Sequence, residues 1–277
     1  MIIETNQAYH ANEAVSHSKL EVFRRRPRLY QMRYVTRELP APEPTAALRL
    51  GSATHCAVLE PEKFPTLYAQ RPEGIDRRTK EGKAAWESFT QQHAGKDFLD
   101  AEEWQQVTTM ANAVRGNSLA AQLLAQGKPE LSWRVETGAL PLHCRTDWFS
   151  PEGCELSGGR PYVADLKTID SLDASAFRSF ERACFGFGYH RQAGFYLPLI
   201  TEILGGPVFD FFFIAIEKEP PYGVAIFRLN DDAVAIGQDE TLADLRRLKV
   251  CRETDIWPNI EPEVTELGLP KWYGGAR

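Results

Sequence analysis

Residues 162–170, YVADLKTID, carry Asp165 and Lys167 in an otherwise apolar run that reads as a strand. Side chains two apart on a strand share a face, so these two project together while Ala164 and Leu166 point into the apolar layer behind. A charge inside a domain costs several kcal/mol unless it is paired or holds a metal. The pair is therefore either a buried ion pair without chemistry or a place built to hold charge.

One strand earlier, LPLHCRTDWF (140–149) alternates in the same way and sets His143, Arg145 and Asp147 on one face. If the two strands are neighbours, Asp147 and Asp165 converge with Lys167 beside them. Two carboxylates make a natural Mg²⁺ site, with Mn²⁺ as a substitute, because hard cations take oxygen ligands. The ammonium can then orient or help deprotonate an attacking water, or neutralise charge on a pentavalent phosphorane. The bland alternative for Asp147 is a hairpin cap or an ion pair with Arg145.

The elements that must position these groups follow from patterning. Ser18-Lys19-Leu20-Glu21 reads as a capping box opening a short helix that Pro27 ends or kinks. A Pro-rich loop (38–47) leads into a helix over Ala46–Glu60, and residues 79–93 and 100–125 read as two more helices. ELSWRVET (130–137), a Gly138-Ala139 turn and residues 140–149 form a hairpin pattern. The polar excursion SPEGCELSGGR then feeds the strand PYVADLKTI. A short helix is expected over 173–182 and a longer one over 187–204, with Phe187, Tyr196, Leu199 and Leu204 on its apolar faces. Strands over 208–218 and 222–229 precede a final amphipathic helix, 231–250. The order implies an α/β (α+β) fold: one domain over 1–277, mainly helical through 125, with a strand-rich catalytic core over 126–250.

A chain of 277 residues can bury a sizeable core. Its net charge of −6 does not advertise a nucleic-acid binder, but the distribution does more than the sum. FRRRPRLYQMRYVTR (23–37), RRTKEGK (77–83) and LRRLKV (245–250) are basic clusters, either solvated helix faces or a localised positive track. Five cysteines without a CxxC pair argue against a zinc ribbon and fit free thiols in a reducing compartment. No signal pattern or membrane-length apolar run is present, so a cytoplasmic protein with no membrane partner is expected.

An Asp, a gap, then Asp-x-Lys on a core strand resembles the signature of the PD-(D/E)XK nuclease superfamily. Gln192 and Tyr196 in YHRQAGFY stand one helical turn apart. They resemble the Q-x-x-x-Y element of the superfamily's exonuclease branch, which includes the RecB nuclease domain and the RecE-type exonucleases. GSATHCAVLEPEKF (51–64) resembles the helix that supplies a metal-binding histidine there, and SHSKLEVFRRRPRLY, TKEGKAAWESF and LGLPKWY look like RecE-type segments. The resemblance runs from about residue 16 to residue 273 and is to RecE-type, exonuclease VIII-like, phage-associated exodeoxyribonucleases.

That resemblance implies a restriction-endonuclease-like core, a central mixed sheet flanked by helices with N-terminal helical additions. It implies a Mg²⁺-dependent 5′→3′ exonuclease working on double-stranded DNA ends. The product would be a single strand for a recombinase partner of the strand-annealing kind, and the enzyme a homo-oligomer, a ring-shaped tetramer. Carried onto this sequence, His55, Asp147 and Asp165 are the metal ligands with the Leu166 carbonyl as a further contact, and Lys167 is the catalytic lysine. One metal or two stays open.

Each residue also has a bland reading. His55 could be a satisfied core histidine, and Tyr196 a core ring with its hydroxyl at the edge. Gln192 either hydrogen-bonds a phosphate or the active-site backbone, or satisfies a buried strand end. Glu130 is a carboxylate behind the ligands, a helper to a second metal, or a solvated turn residue; His143 and His190 are structural or near DNA. Arg24, Arg25, Arg26 and Arg28 read as phosphate contacts, which grip without sequence preference. Two rival functions share the fold: a non-catalytic DNA-end-binding or assembly protein, and an endonuclease of the same superfamily.

Overall fold

The alternating runs on either side of residue 138 pair as antiparallel strands, forming one side of a five-stranded mixed sheet. The computed structural model describes residues 2–40, 42–136, 140–172, 176–206, 210–259 and 266. The expected turn at Gly138-Ala139 and the closing LGLPKWY lie outside the described residues.

The chain enters through α1 (Asn6–Ala11), α2 (His17–Arg25) and the single turn α3 (Pro27–Tyr30), which runs into a π-helical turn, Gln31–Val35. The cap of α2 is Ser16, whose hydroxyl accepts the Lys19 amide at 3.3 Å, two residues ahead of the box expected at Ser18. Pro27 separates α2 from α3, since proline suits a first helical turn and not an interior. Next come α4 (Ala46–Leu59), α5 (Phe64–Leu67), β1 (Tyr68–Gln70), α6 (Lys80–Gln92) and β2 (Asp97–Leu99), with β1 and β2 paired in parallel.

α7 (Ala101–Gly116) and α8 (Ser118–Leu123) divide the single helix expected over 100–125. Asn117 makes the break: its backbone is extended, and its side chain accepts the Leu119 and Ala120 amides as a cap for α8.

The second half runs β3 (Lys128–Val135), β4 (Leu142–Ser150), a 3₁₀ turn at Glu155–Ser157, β5 (Tyr162–Ile169), α9 (Ala176–Phe187), α10 (Tyr189–Leu204), β6 (Asp210–Glu217), β7 (Val224–Arg228) and α11 (Asp231–Thr254). The sheet order is β3-β4-β5-β6-β7, parallel between β5 and β6 and antiparallel elsewhere. β6, between β5 and β7, is covered on both faces, which is why its sequence reads as an unbroken apolar run. Gly188, at φ 73°, ends the helix before α10 begins. Phe187 therefore belongs to α9 and is exposed, as is Leu204, whereas Tyr196 and Leu199 are buried as expected.

Strand alternation sorts the core into two layers. Val163, Phe211 and Phe213 pack with Phe23 of α2, Ile200 of α10 and Leu248 of α11. Tyr162, Ala164, Leu166 and Phe212 pack on the other face with Ala57 of α4 and Met110 of α7. At the α10–α11 crossing a Cβ on Gly194 would stand 2.2 Å from the Gly237 carbonyl carbon, so the two backbones touch. That contact seats α10, and with it Gln192. All five cysteines are free, and no described helix is long and apolar enough to cross a membrane.

Candidate active site

β4 and β5 pair at Ser150–Tyr162, Phe149–Val163 and Trp148–Ala164, and there the ladder stops. One residue on, the register brings Asp147 level with Asp165. On its other side the β3–β4 register brings Asp147 level with Glu130, and that ladder skips the same step. Glu130, Asp147 and Asp165 thus form one row across three strands, at the point where both ladders are interrupted. Two local features hold the break open. Glu130 takes a left-handed backbone, φ 51°, uncommon for a residue with a Cβ. Asp147 Oδ2 accepts the Leu166 amide at 2.9 Å, replacing a ladder partner.

α4 brings the imidazole. Thr45 caps it by accepting the Leu48 amide, and Ala53, Thr54, Ala57 and Val58 seat it on the sheet. His55 is left half-buried, with Nδ1 3.3 Å from Asp147 Oδ2. Ligand atoms of His55, Glu130 and Asp147 all lie within 4.8 Å of one another. Ligand bonds to a divalent ion are about 2.0–2.6 Å, so one ion can span that separation. One imidazole and two carboxylates suit Mg²⁺ or Mn²⁺, and the residues present fit the group that the sequence implies.

The composition of the cluster differs from the expected His55, Asp147 and Asp165. Glu130 stands in it, and Asp165 is engaged elsewhere. Asp165 Oδ1 accepts Gln192 Nε2 at 2.5 Å, and Oδ2 lies 2.5 Å from Lys167 Nζ. Lys167 Nζ also donates to Gln192 Oε1 at 3.0 Å and sits 4.6 Å from the centre of the Tyr189 ring. Asp165 is buried under α10, so its oxygens take the donors nearest to hand.

The electrostatics follow from this crowding. Burial and the Asp147 charge push the Glu130 carboxyl up to about 8, with Arg145 pulling the other way. Burial and Asp147 also raise Asp165, against Lys167. For Lys167, burial favours the neutral amine, but Asp165 and Asp147 outweigh it and raise its pKa. Burial and carboxylate crowding outweigh Arg145 at Glu130 and Lys167 at Asp165, the condition a divalent cation relieves.

Arg145 organises the row, a role its place in the sequence does not announce. Its guanidinium lies 3.7 Å from Glu130 Oε2 and donates to Ser132, Asn6 and the Glu4 carbonyl, tying the N-terminal segment to the site. Tyr189 is a second residue that sequence reasoning misses, although it lies three residues before Gln192 and so on the same helix face.

The remaining expected residues fall into place as follows. Leu166 lies beside the cluster, its amide donating to Asp147 Oδ2. Tyr196 packs 6.2 Å from the Phe211 ring, its phenol held far above its usual pKa by burial, which is the core reading. His143 is buried against Tyr9, and burial lowers it to about 3; His190 lies 3.5 Å from Glu240. The four-arginine track narrows. Arg24 is taken by Glu240 and Asp244 of α11 at 3.1 and 2.9 Å, and Arg28 by Gln31, while Arg25 and Arg26 are exposed.

Among solved structures, one described as a "putative exonuclease" from Eubacterium rectale superposes over 100% of this chain and 99% of its own, with a TM-score of 0.64 and 13% identity. At that identity the likeness is one of fold. A second, SSO0001, covers 70% of this chain and 83% of its own at 14% identity, with a TM-score of 0.29, and carries no argument. No curated protein matches the sequence. The family model described as a PDDEXK-like domain of unknown function, DUF3799, matches residues 16–264. That match spans most of the chain, and the chain belongs to the PDDEXK-like family DUF3799.

Proposed function

We propose that this protein is a metal-dependent nuclease that hydrolyses DNA from its ends. The observation that carries the reading is the meeting of His55, Glu130 and Asp147 within 4.8 Å, beside the Asp165–Lys167 pair. His55, Glu130 and Asp147 would hold Mg²⁺, which when bound polarises a phosphate oxygen and makes water a stronger nucleophile.

The chain's own groups supply the rest. Asp165 and Gln192 hold the Lys167 side chain in place. Its pKa is raised, so at neutral pH it is an ammonium, suited to orienting water and countering charge on the phosphate rather than to taking a proton. Of Arg24, Arg25, Arg26 and Arg28, Arg25 and Arg26 are exposed and remain available to phosphates.

The finer reading rests on the RecE-type resemblance: 5′→3′ digestion of linear duplex, a single-strand product for an annealing recombinase, and a tetrameric ring. Linear and covalently closed duplex incubated with Mg²⁺ and then with EDTA test it. Nucleotide release from the linear form alone, abolished by EDTA, is expected. Nicking of the closed form would make the protein an endonuclease. A gel shift without loss of nucleotides would make it an end-binding scaffold.

A further inference from the structure

Beyond Lys167 the site continues in rings. The ammonium sits over Tyr189, and the Tyr189 ring stacks with Phe187, centroids 5.8 Å apart and planes 24° from parallel. Phe187 is 63% exposed. Two residues before it and on a different face of the helix, Phe185 is 76% exposed and stacks with the His190 ring, 6.3 Å away and 6° from parallel. Both phenylalanines lie in the sequence CFGFGYH, each followed by a glycine. Gly188 takes a left-handed backbone that turns the chain from α9 into α10.

Phe187 stacks on Tyr189 and leaves most of its ring to solvent, so the stack that begins under Lys167 is open at its outer end. An occupant must have a flat, polarisable face, because Phe187 already extends a stack, and it must lie next to a phosphate, because the stack starts under the proposed catalytic ammonium. A nucleobase meets both requirements: every base has a π-face, so stacking holds a strand without reading its sequence.

Resting on the nuclease reading above, we infer that Phe187, stacked on Tyr189, forms a stacking platform for an unpaired base next to the phosphate held at Lys167. The platform makes the preferred substrate a frayed or single-stranded end rather than a fully paired one.

The test is equilibrium binding of a duplex with a short single-stranded tail, its terminal base replaced by 2-aminopurine, with Ca²⁺ in place of Mg²⁺. Wild type should quench the probe; Phe187→Trp should keep the quenching, and Phe187→Ala and Phe187→Leu should lose it. Base stacking on an aromatic ring predicts about 5- to 150-fold weaker binding for Phe187→Ala. Wild type should lose the same factor on DNA with an abasic terminus, and Phe187→Ala should lose nothing further there.

Equal losses on normal and abasic ends, or quenching that survives in Phe187→Leu, would overturn the platform. The Phe187 side chain is exposed, so its removal leaves the core intact. Should wild type leave DNA whole in Mg²⁺ while quenching still follows Phe187, the nuclease reading fails and the platform stands. Hydrolysis by wild type with binding indifferent to Phe187 would sink the platform and leave the nuclease reading in place.

Discussion

Gln192 donates to Asp165 Oδ1 at 2.5 Å and, through its other amide atom, accepts from Lys167. One neutral side chain from α10 thus joins the two charges of the D-x-K strand. An amide can do this because it has both a donor and an acceptor end, which no carboxylate or ammonium has.

Gln192→Ala should therefore destabilise the metal-free protein by about 1–3 kcal/mol, the cost of leaving a buried partner short of a hydrogen bond. Gln192→Glu should not restore it, since a carboxylate cannot donate to Asp165. Urea denaturation of the three proteins in EDTA reads the effect, and stability within about 0.5 kcal/mol of wild type would remove Gln192 from this role.

Lys167→Met should lower the rate of DNA hydrolysis by about 100-fold or more. It also leaves Asp165 buried without its counter-ion, so stability should fall by about 3–5 kcal/mol. Pairing it with Asp165→Asn should recover much of that stability and none of the turnover. A doubly substituted protein that digests linear duplex like wild type would place the chemistry elsewhere.

Glu130→Gln should change the slope of stability against pH. The folded-state pKa of Glu130 is raised to about 8, above the ordinary glutamate value of 4.5, so between those values the folded protein binds the extra proton. Stability from this group is then lost as pH rises through the window, on the order of 1 kcal/mol per unit. Without metal, the glutamine variant should match wild type near pH 5 and become the more stable of the two toward pH 8. Parallel curves of unfolding free energy would show that Glu130 is ionised throughout.

Mn²⁺ binding followed by calorimetry should weaken at least about 10-fold in His55→Ala and Glu130→Ala. It should be less affected in Gln192→Ala, which leaves all three proposed ligands in place. Unchanged Mn²⁺ affinity in Glu130→Ala would return the third ligand position to Asp165.

Gly194→Ala should cost about 1–3 kcal/mol or more, because the added Cβ would overlap the Gly237 backbone and push α10 from α11. Since α10 carries Gln192 and Tyr189, activity should fall with stability. A thermal midpoint equal to wild type would mean that the helices can separate freely.

Much of the site's raw material is legible in the sequence, and for a local reason. Strand period places Asp165 with Lys167, and helix period places Gln192 one turn before Tyr196; both depend on backbone geometry alone. Asn117 shows where such reading fails: a helix pattern runs through 100–125, but an asparagine side chain that competes for backbone amides divides it.

What only the tertiary structure decided is which acids face which partners. The sequence sets Glu130, Asp147 and Asp165 on three strands, but register between strands is fixed by long-range packing. It is the skipped ladder steps around Asp147 that bring His55 and Glu130 to it and leave Asp165 to Gln192 and Lys167. The four arginines near residue 25 differ for the same reason: Arg24 meets the acids of α11, more than 200 residues away in the chain, while Arg25 and Arg26 face solvent. Residue type and spacing determine what chemistry is possible here; the packing of α4, α10 and α11 on the sheet determines which side chains are in position to do it.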